Sequence, residues 1–238
     1  MSIVGLAHRG YPKKYPENTL VSFQAALDLS YSHLELDVNL TKDGVPVVIH
    51  DPTVNRTTNG KGPVLDYTWE ELQKLRTDGE QAIPTLEQVL RLAKGKAKVD
   101  IELKQSGNLY AGMEEKVLEV VRACDVQDQV FVTSFDHYAI QRIRQLSKDI
   151  EVGLVIYGAT PSIFGFAEEL NAKYISVKYI YLTQDYVGLC EEKGIQLIAW
   201  TIDDETHMRQ MRKQYPGVWV CTNELERWKK CVLETETP

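Results

Sequence analysis

Residues 98–104 read Lys98-Val99-Asp100-Ile101-Glu102-Leu103-Lys104. Polar and apolar residues alternate without a break. This is the period of a β-strand, whose successive side chains point to opposite faces. Val99, Ile101 and Leu103 share one face, and Asp100, Glu102 and Lys104 share the other. A second stretch, His33-Leu34-Glu35-Leu36-Asp37-Val38, repeats the pattern with Glu35 and Asp37 on one face. Which face is buried depends on what surrounds these strands.

From residue 99 onward, strand-like runs alternate with runs of helical period. The spacing predicts strands at 99–103, 130–133, 152–157, 174–177, 195–200 and 218–221. Helices are expected at 110–124, 138–146, 163–170, 184–192, 205–214 and 225–233. Upstream, 3–7 reads as a strand and 18–29 as a helix with Asn18 as its N-cap. Residues 45–49 read as a short extended continuation of the 33–38 strand, and 85–93 as a helix behind Pro84. Strands alternating with helices of this length predict a parallel sheet. Eight such units in 238 residues suit a closed α/β fold, the (β/α)8 TIM barrel. The rival is an open doubly wound sheet. Its glycine fingerprint is missing, because the first strand runs into His8-Arg9-Gly10-Tyr11. Residues 51–83 are polar and rich in Thr, Gly and Asp, and Thr68-Trp69-Glu70-Glu71 reads as a capping box. The expectation is a single barrel over 1–238, with 51–83 as a small insertion after the second strand.

Composition narrows the function. Lys plus Arg total 27 and Asp plus Glu total 34, a net charge of −7. Non-specific nucleic-acid binding needs clustered cationic charge, so no nucleic-acid partner is expected. No run approaches the roughly 20 apolar residues of a membrane span, so no stable membrane insertion is expected. The apolar run at the N-terminus is too short for a signal peptide. Cys124, Cys190, Cys221 and Cys231 are widely spaced and form no C-x-x-C pair. A cytoplasmic protein with free thiols is expected.

In a barrel, helices cover the outer face, so that face of each strand is apolar. The carboxylates of 33–38 and 98–104 then point inward. Burying an isolated carboxylate costs several kcal/mol, so these groups need positive charge nearby. One divalent metal ion supplies it, and all-oxygen ligands favour Mg2+ or Ca2+. The plainer alternative is a solvent-facing edge strand with ion pairs to Lys98 or Lys104. His8 and Arg9 follow the first strand, and His50 follows the 45–49 run. The C-terminal ends of barrel strands face the active site, so these residues would gather with Glu35, Asp37 and Glu102 in one mouth. Imidazoles exchange protons near neutral pH, and the Arg9 fork suits phosphate. Metal, arginine and two histidines point to phosphoester cleavage. His137 and His207 read as exposed, and His33 as structural.

At this point the residues resemble a known family. His8-Arg9-Gly10, Pro16-Glu17-Asn18-Thr19, Glu35-Leu36-Asp37-Val38, Thr41-Lys42-Asp43-Gly44 and His50-Asp51 are similar to the N-terminal signature of the glycerophosphodiester phosphodiesterases. Arg56-Thr57-Thr58-Asn59-Gly60, Ile83-Pro84-Thr85-Leu86 and Glu102-Leu103-Lys104 continue it. The resemblance implies hydrolysis of a small-molecule glycerophosphodiester to glycerol 3-phosphate and an alcohol. It implies Glu35, Asp37 and Glu102 as metal ligands and His8 and His50 as the acid/base pair, with the two roles unassigned. It implies Arg9 and Lys104 at the phosphate, Glu17 in the metal or substrate shell, and Phe135 and Trp200 lining the pocket. Two departures stand out. Asp203 replaces the Asn usual three residues after the tryptophan, and Thr222-Asn223-Glu224-Leu225 replaces the usual Thr-Asp-x-Pro. They put the far rim, and so substrate preference, in question. Lysophospholipids or phosphoinositides are the alternative substrates. A two-carboxylate glycosidase gives no reason for His8, Arg9 and His50 to converge. A non-catalytic binder on the same barrel would follow loss of a histidine or ligand, and none is lost.

Overall fold

The computed structural model describes residues 2–234. Its strands are β1 (Ile3–His8), β2 (Tyr31–Leu40), β3 (Pro46–Val48), β4 (Lys98–Leu103), β5 (Val130–Ser134), β6 (Glu151–Ile156), β7 (Tyr174–Lys178), β8 (Gln196–Trp200) and β9 (Trp219–Thr222). Among the described residues, eight of these run parallel in the order β1-β9-β8-β7-β6-β5-β4-β2, and β1 pairs with β2 to close the ring. This is the TIM barrel the alternation predicts. Two local expectations change. The 45–49 run does not continue β2; its core, β3, folds back antiparallel along it, outside the ring. The turn between them is Thr41–Gly44, where the Thr41 hydroxyl donates to Asp43 and Gly44 takes a left-handed φ of 78°. The N-cap of the first helix, Leu20–Asp28, is Thr19, whose hydroxyl accepts from Ser22 N. Asn18 has a left-handed φ of 57° and turns its side chain into the barrel instead.

The outer faces of the strands are as apolar as the alternation requires. Leu34, Leu36, Val38, Val99, Ile101 and Leu103 are all buried in one core with the surrounding helices. Residues 51–83 carry a short helix, Trp69–Leu72, capped by Thr68 and Glu71 as expected. They pack on β3 through a small separate core of Val47, Ile49, Val54, Val64, Leu72 and Ile83. Among the described residues, no helix is long and apolar enough to cross a membrane. All four cysteines are buried and unpaired.

The interior is layered. At the N-terminal end Lys98, Glu151 and the Tyr174 hydroxyl bond to one another. Above them Leu6, Phe131, Tyr174, Ile198 and Cys221 form an apolar plug, with Phe131 stacked on Tyr174. The carboxylates of β2 and β4 lie above this plug, toward the strands' C-terminal ends. The register pairs Glu35 with Asp100 and Asp37 with Glu102.

Closure joins the first and last strands through Leu6–Cys221 and Ala7–Thr222. Trp228 fastens this seam: its indole donates to Val4 O at 2.9 Å. A Cβ at Gly5 would lie 2.7 Å from that indole nitrogen, so the strand admits the ring only because residue 5 is glycine. Trp228→Ala should cost about 3–5 kcal/mol, since it removes both the buried ring and the seam bond. Urea unfolding measures it, and a loss below about 1 kcal/mol would show that the seam does not depend on Trp228.

Candidate active site

The mouth begins where β1 ends. His8 is its last residue, and the next two leave the extended conformation: Arg9 at φ 58° and Gly10 at φ 82°. A Cβ on Gly10 would meet Ser22 Oγ at 2.5 Å and the Ser22 backbone at 2.8 Å, so only glycine fits against the helix. The turn sends Arg9 back across the barrel mouth. Its backbone N–H donates to Glu35 Oε2 at 2.9 Å, and its guanidinium donates to Glu17 Oε1 at 3.0 Å. Its Nε lies 3.3 Å from Asp37 Oδ2. Asn18 Nδ2 donates to the same Asp37 oxygen at 2.8 Å.

Glu35, Asp37 and Glu102 come together as expected, with one oxygen from each within 4.8 Å of the others. Lys104 enters the same cluster, 2.8 Å from Asp37 Oδ1 and hydrogen-bonded to Glu102. These neighbours set the charges. Burial pushes Asp37 up, but Lys104 and Arg9 outweigh it and hold the carboxyl below the usual range. Burial raises Glu35, and the nearby Asp37 and Glu102 raise it further. Burial also raises Glu102 despite Lys104. Glu35 Oε1 is buried and has no hydrogen-bond partner among the described residues. A buried carboxylate oxygen left unpaired is costly, and a cation would satisfy it. Three carboxylates with an orphaned oxygen fit a hard divalent ion. Asp100 stays outside the cluster. Burial raises its pKa well above the usual range, and it accepts a 2.7 Å bond from Thr133 Oγ1.

Two imidazoles flank this cluster. Both line one cavity of about 310 Å3 with Arg9, Glu35, Glu102, Lys104, Phe135 and Trp200. His8 Nε2 is 3.9 Å from Glu35 Oε2, and its Nδ1 is 2.8 Å from Asn223 Oδ1. Burial is the main cause that lowers the His8 ring to about 4, so it is neutral at neutral pH. Asn223 is itself fixed. Its Nδ2 donates to Asp203 Oδ2 at 2.7 Å and its backbone N–H to Asp203 Oδ1 at 2.8 Å. A carboxylate can only accept, so Asn223 must present its oxygen to His8. Nδ1 therefore carries the proton and Nε2 has the free lone pair. On the other side, His50 Nδ1 lies 2.7 Å from Asp51 Oδ1. The Arg56 hydrogen bond is the main cause that lowers Asp51, to about 2.

Glu17 does not join the carboxylate cluster. Its oxygens accept from Arg9 and Arg56, and it stands behind Arg9 rather than along the cavity. Asn18, Asp51, Arg56, Asp203 and Asn223 carry supporting roles that spacing alone does not reveal. The two departures from the family pattern, Asp203 and Asn223, turn out to be partners of each other. Such an exchange of amide and acid between partners was the available signal.

The sequence pattern of the Glycerophosphoryl diester phosphodiesterase family matches residues 8–227. The chain is 37% identical over 221 residues to a glycerophosphodiester phosphodiesterase of Caldanaerobacter subterraneus subsp. tengcongensis, covering 90% of this chain and 91% of that one. A solved glycerophosphodiester phosphodiesterase from Thermotoga maritima is 29% identical with a TM-score of 0.79, covering 97% of this chain and 98% of that one. An Oleispira antarctica phosphodiesterase, solved in complex with the product sn-glycerol-3-phosphate, shares the fold with a TM-score of 0.90 at 24% identity and 96% coverage of each chain.

The Asp203–Asn223 pairing is open to a stability test. Asn223→Asp faces two carboxylates and should cost about 1–3 kcal/mol. The double exchange Asp203→Asn with Asn223→Asp should recover most of that loss. Thermal unfolding of both variants measures it, and a single variant as stable as the parent would remove the pairing.

Proposed function

The chain belongs to the glycerophosphoryl diester phosphodiesterase family, and from that premise we propose how its own residues cleave a glycerophosphodiester. It is a phosphodiesterase, and the products assigned here are glycerol 3-phosphate and the alcohol released from it. The observation that carries the reading is one cavity holding two imidazoles, each fixed at Nδ1 from behind, beside an acidic cluster with an unpaired oxygen. The relative solved with sn-glycerol-3-phosphate supports the product assignment. Four buried unpaired thiols suit the reducing cytoplasm.

Glu35, Asp37 and Glu102 would hold the divalent ion, Mg2+ or Ca2+. When bound, it would supply positive charge that offsets the charge building on the phosphate and would acidify the attacking hydroxyl. Arg9 and Lys104 line the same cavity and bind the phosphate as fixed cations. The partners behind the imidazoles separate their roles. His8 is backed by a neutral amide and presents a free Nε2 lone pair. It removes the proton from the attacking oxygen, which is water or the neighbouring glycerol hydroxyl. His50 is backed by the Asp51 carboxylate, which suits an imidazolium. As the new O–P bond forms, the P–O bond to the alcohol breaks. The departing oxygen keeps the electron pair and takes the His50 Nε2 proton. If the glycerol hydroxyl attacks, water then opens the cyclic phosphate with the two roles reversed.

A second reading concerns the substrate. Phe135 and Tyr157 are 50% and 57% exposed at the rim. With Val155 they also line a second cavity of about 540 Å3 that opens beside the first. This aromatic rim would seat the acyl chain of a lysophospholipid beside the cleaved phosphodiester. A panel of glycerophosphodiesters with and without an acyl chain compares their kcat/KM values.

Two measurements check the mechanism. Exhaustive chelation should abolish turnover, and Mg2+ or Ca2+ should restore it. The ion should also raise the melting temperature of the parent but not of Glu35→Gln. Full activity after chelation would remove the metal from the scheme. Each positioned acid or base contributes about 10²–10⁴-fold, so His50→Ala should lose roughly that with an alkyl alcohol leaving group. It should lose far less with p-nitrophenolate, which leaves without a proton, whereas His8→Ala should lose equally with both. The opposite pattern would reverse the two roles.

A further inference from the structure

The run Arg56-Thr57-Thr58-Asn59-Gly60 has no part in the scheme above. Arg56 does not line the cavity, yet its guanidinium makes four side-chain hydrogen bonds to two carboxylates. Nε donates to Asp51 Oδ2 at 2.8 Å and Nη2 to Asp51 Oδ1 at 3.0 Å. Nη2 also donates to Glu17 Oε1 at 2.8 Å, and Nη1 to Glu17 Oε2 at 3.0 Å. Each of these carboxylates has a second task. Asp51 Oδ1 holds His50 Nδ1 at 2.7 Å, and Glu17 Oε1 accepts from Arg9 at 3.0 Å. One planar fork therefore stands between the group behind a histidine and the group behind the phosphate-facing arginine.

The loop that carries Arg56 is itself fixed. Val54 N donates to Gly62 O at 3.0 Å, Thr58 Oγ1 to Val54 O at 2.7 Å, and Asn59 N to Arg76 O at 2.9 Å. Val54 sits in the small core beside β3. Arg56 is 47% exposed, so its ion pairs add little to stability. Geometry is the effect that remains. A guanidinium meets two carboxylates face-on with parallel bonds, and an ammonium does not.

We propose that Arg56 is a positioning residue: it fixes the Asp51 carboxylate that holds His50, anchored from its other side by Glu17, without touching substrate. The proposal rests on the acid role given to His50. It also explains what residues 51–83 contribute, since they deliver this side chain from outside the ring.

The test uses the full chain with Arg56→Gln, Arg56→Lys, His50→Ala and the Arg56→Gln/His50→Ala double variant. Turnover is measured on a glycerophosphodiester with an alkyl alcohol and on one with p-nitrophenol. Arg56→Gln should lose about 10- to 100-fold in kcat with the alkyl substrate, as supporting groups of this kind do. The loss should shrink with p-nitrophenol, and the melting temperature should stay close to the parent's. Arg56→Lys keeps the charge but not the fork and should recover little; it carries the test if Arg56→Gln does not fold. In the His50→Ala background, Arg56→Gln should add less than about threefold. Equal losses with both leaving groups, or a full additive loss in the double variant, would overturn the proposal while leaving the diesterase reading intact. Parent-like activity of His50→Ala would instead overturn the acid role, and the proposal with it.

Discussion

Three carboxylates inside a barrel, balanced by one arginine and one lysine, are the constraint that the rest of this structure serves. Glu35, Asp37 and Glu102 cannot be separated without breaking the β2–β4 register, and they cannot stay charged without Arg9 and Lys104. The left-handed turn at Arg9 and Gly10 brings the guanidinium over Asp37. The left-handed turn at Asn18 brings an amide to the same oxygen. Two fixed cations against three acids leave the cluster one charge short. A divalent ion held there would reverse that balance, and the mouth would then meet an anionic phosphate with positive charge.

The two ends of the barrel interior treat buried charge differently. At the N-terminal end Lys98, Glu151 and Tyr174 satisfy one another, and the group only seals the base. At the C-terminal end the cluster keeps an unpaired oxygen on Glu35. The apolar layer of Leu6, Phe131 and Ile198 separates the two. Asp100 lies under the cluster, where burial raises its pKa and Thr133 donates to it.

The fold was legible because alternation reports faces. Strict polar–apolar alternation at 33–38 and 98–104, set among helices, fixes which side points inward, and it is right at every carboxylate. Periodicity does not report partners. Asn18 looks like an N-cap because capping and carboxylate binding call for the same residue type, and only the left-handed backbone separates the two uses. The 45–49 run looks like a continuation of β2 because a return strand has the same period. Glu17 and Arg56 lie 39 residues apart, and His8 and Asn223 lie 215 apart. No local pattern carries such pairs. The exception is the exchange between Asp203 and Asn223, where each substitution makes sense only beside the other.

The closing seam between the first and last strands has a further consequence, which concerns the order of synthesis. His8 ends β1, and Asn223 directly follows β9, the last strand of the ring in chain order. Glu35, Asp37 and Glu102 all lie on β2 and β4, some 120 residues before Asn223, the partner of His8. Until Asn223 has been synthesised, the His8 ring lacks the amide that holds its Nδ1. Fixing of the His8 ring and completion of the barrel therefore depend on the same C-terminal segment.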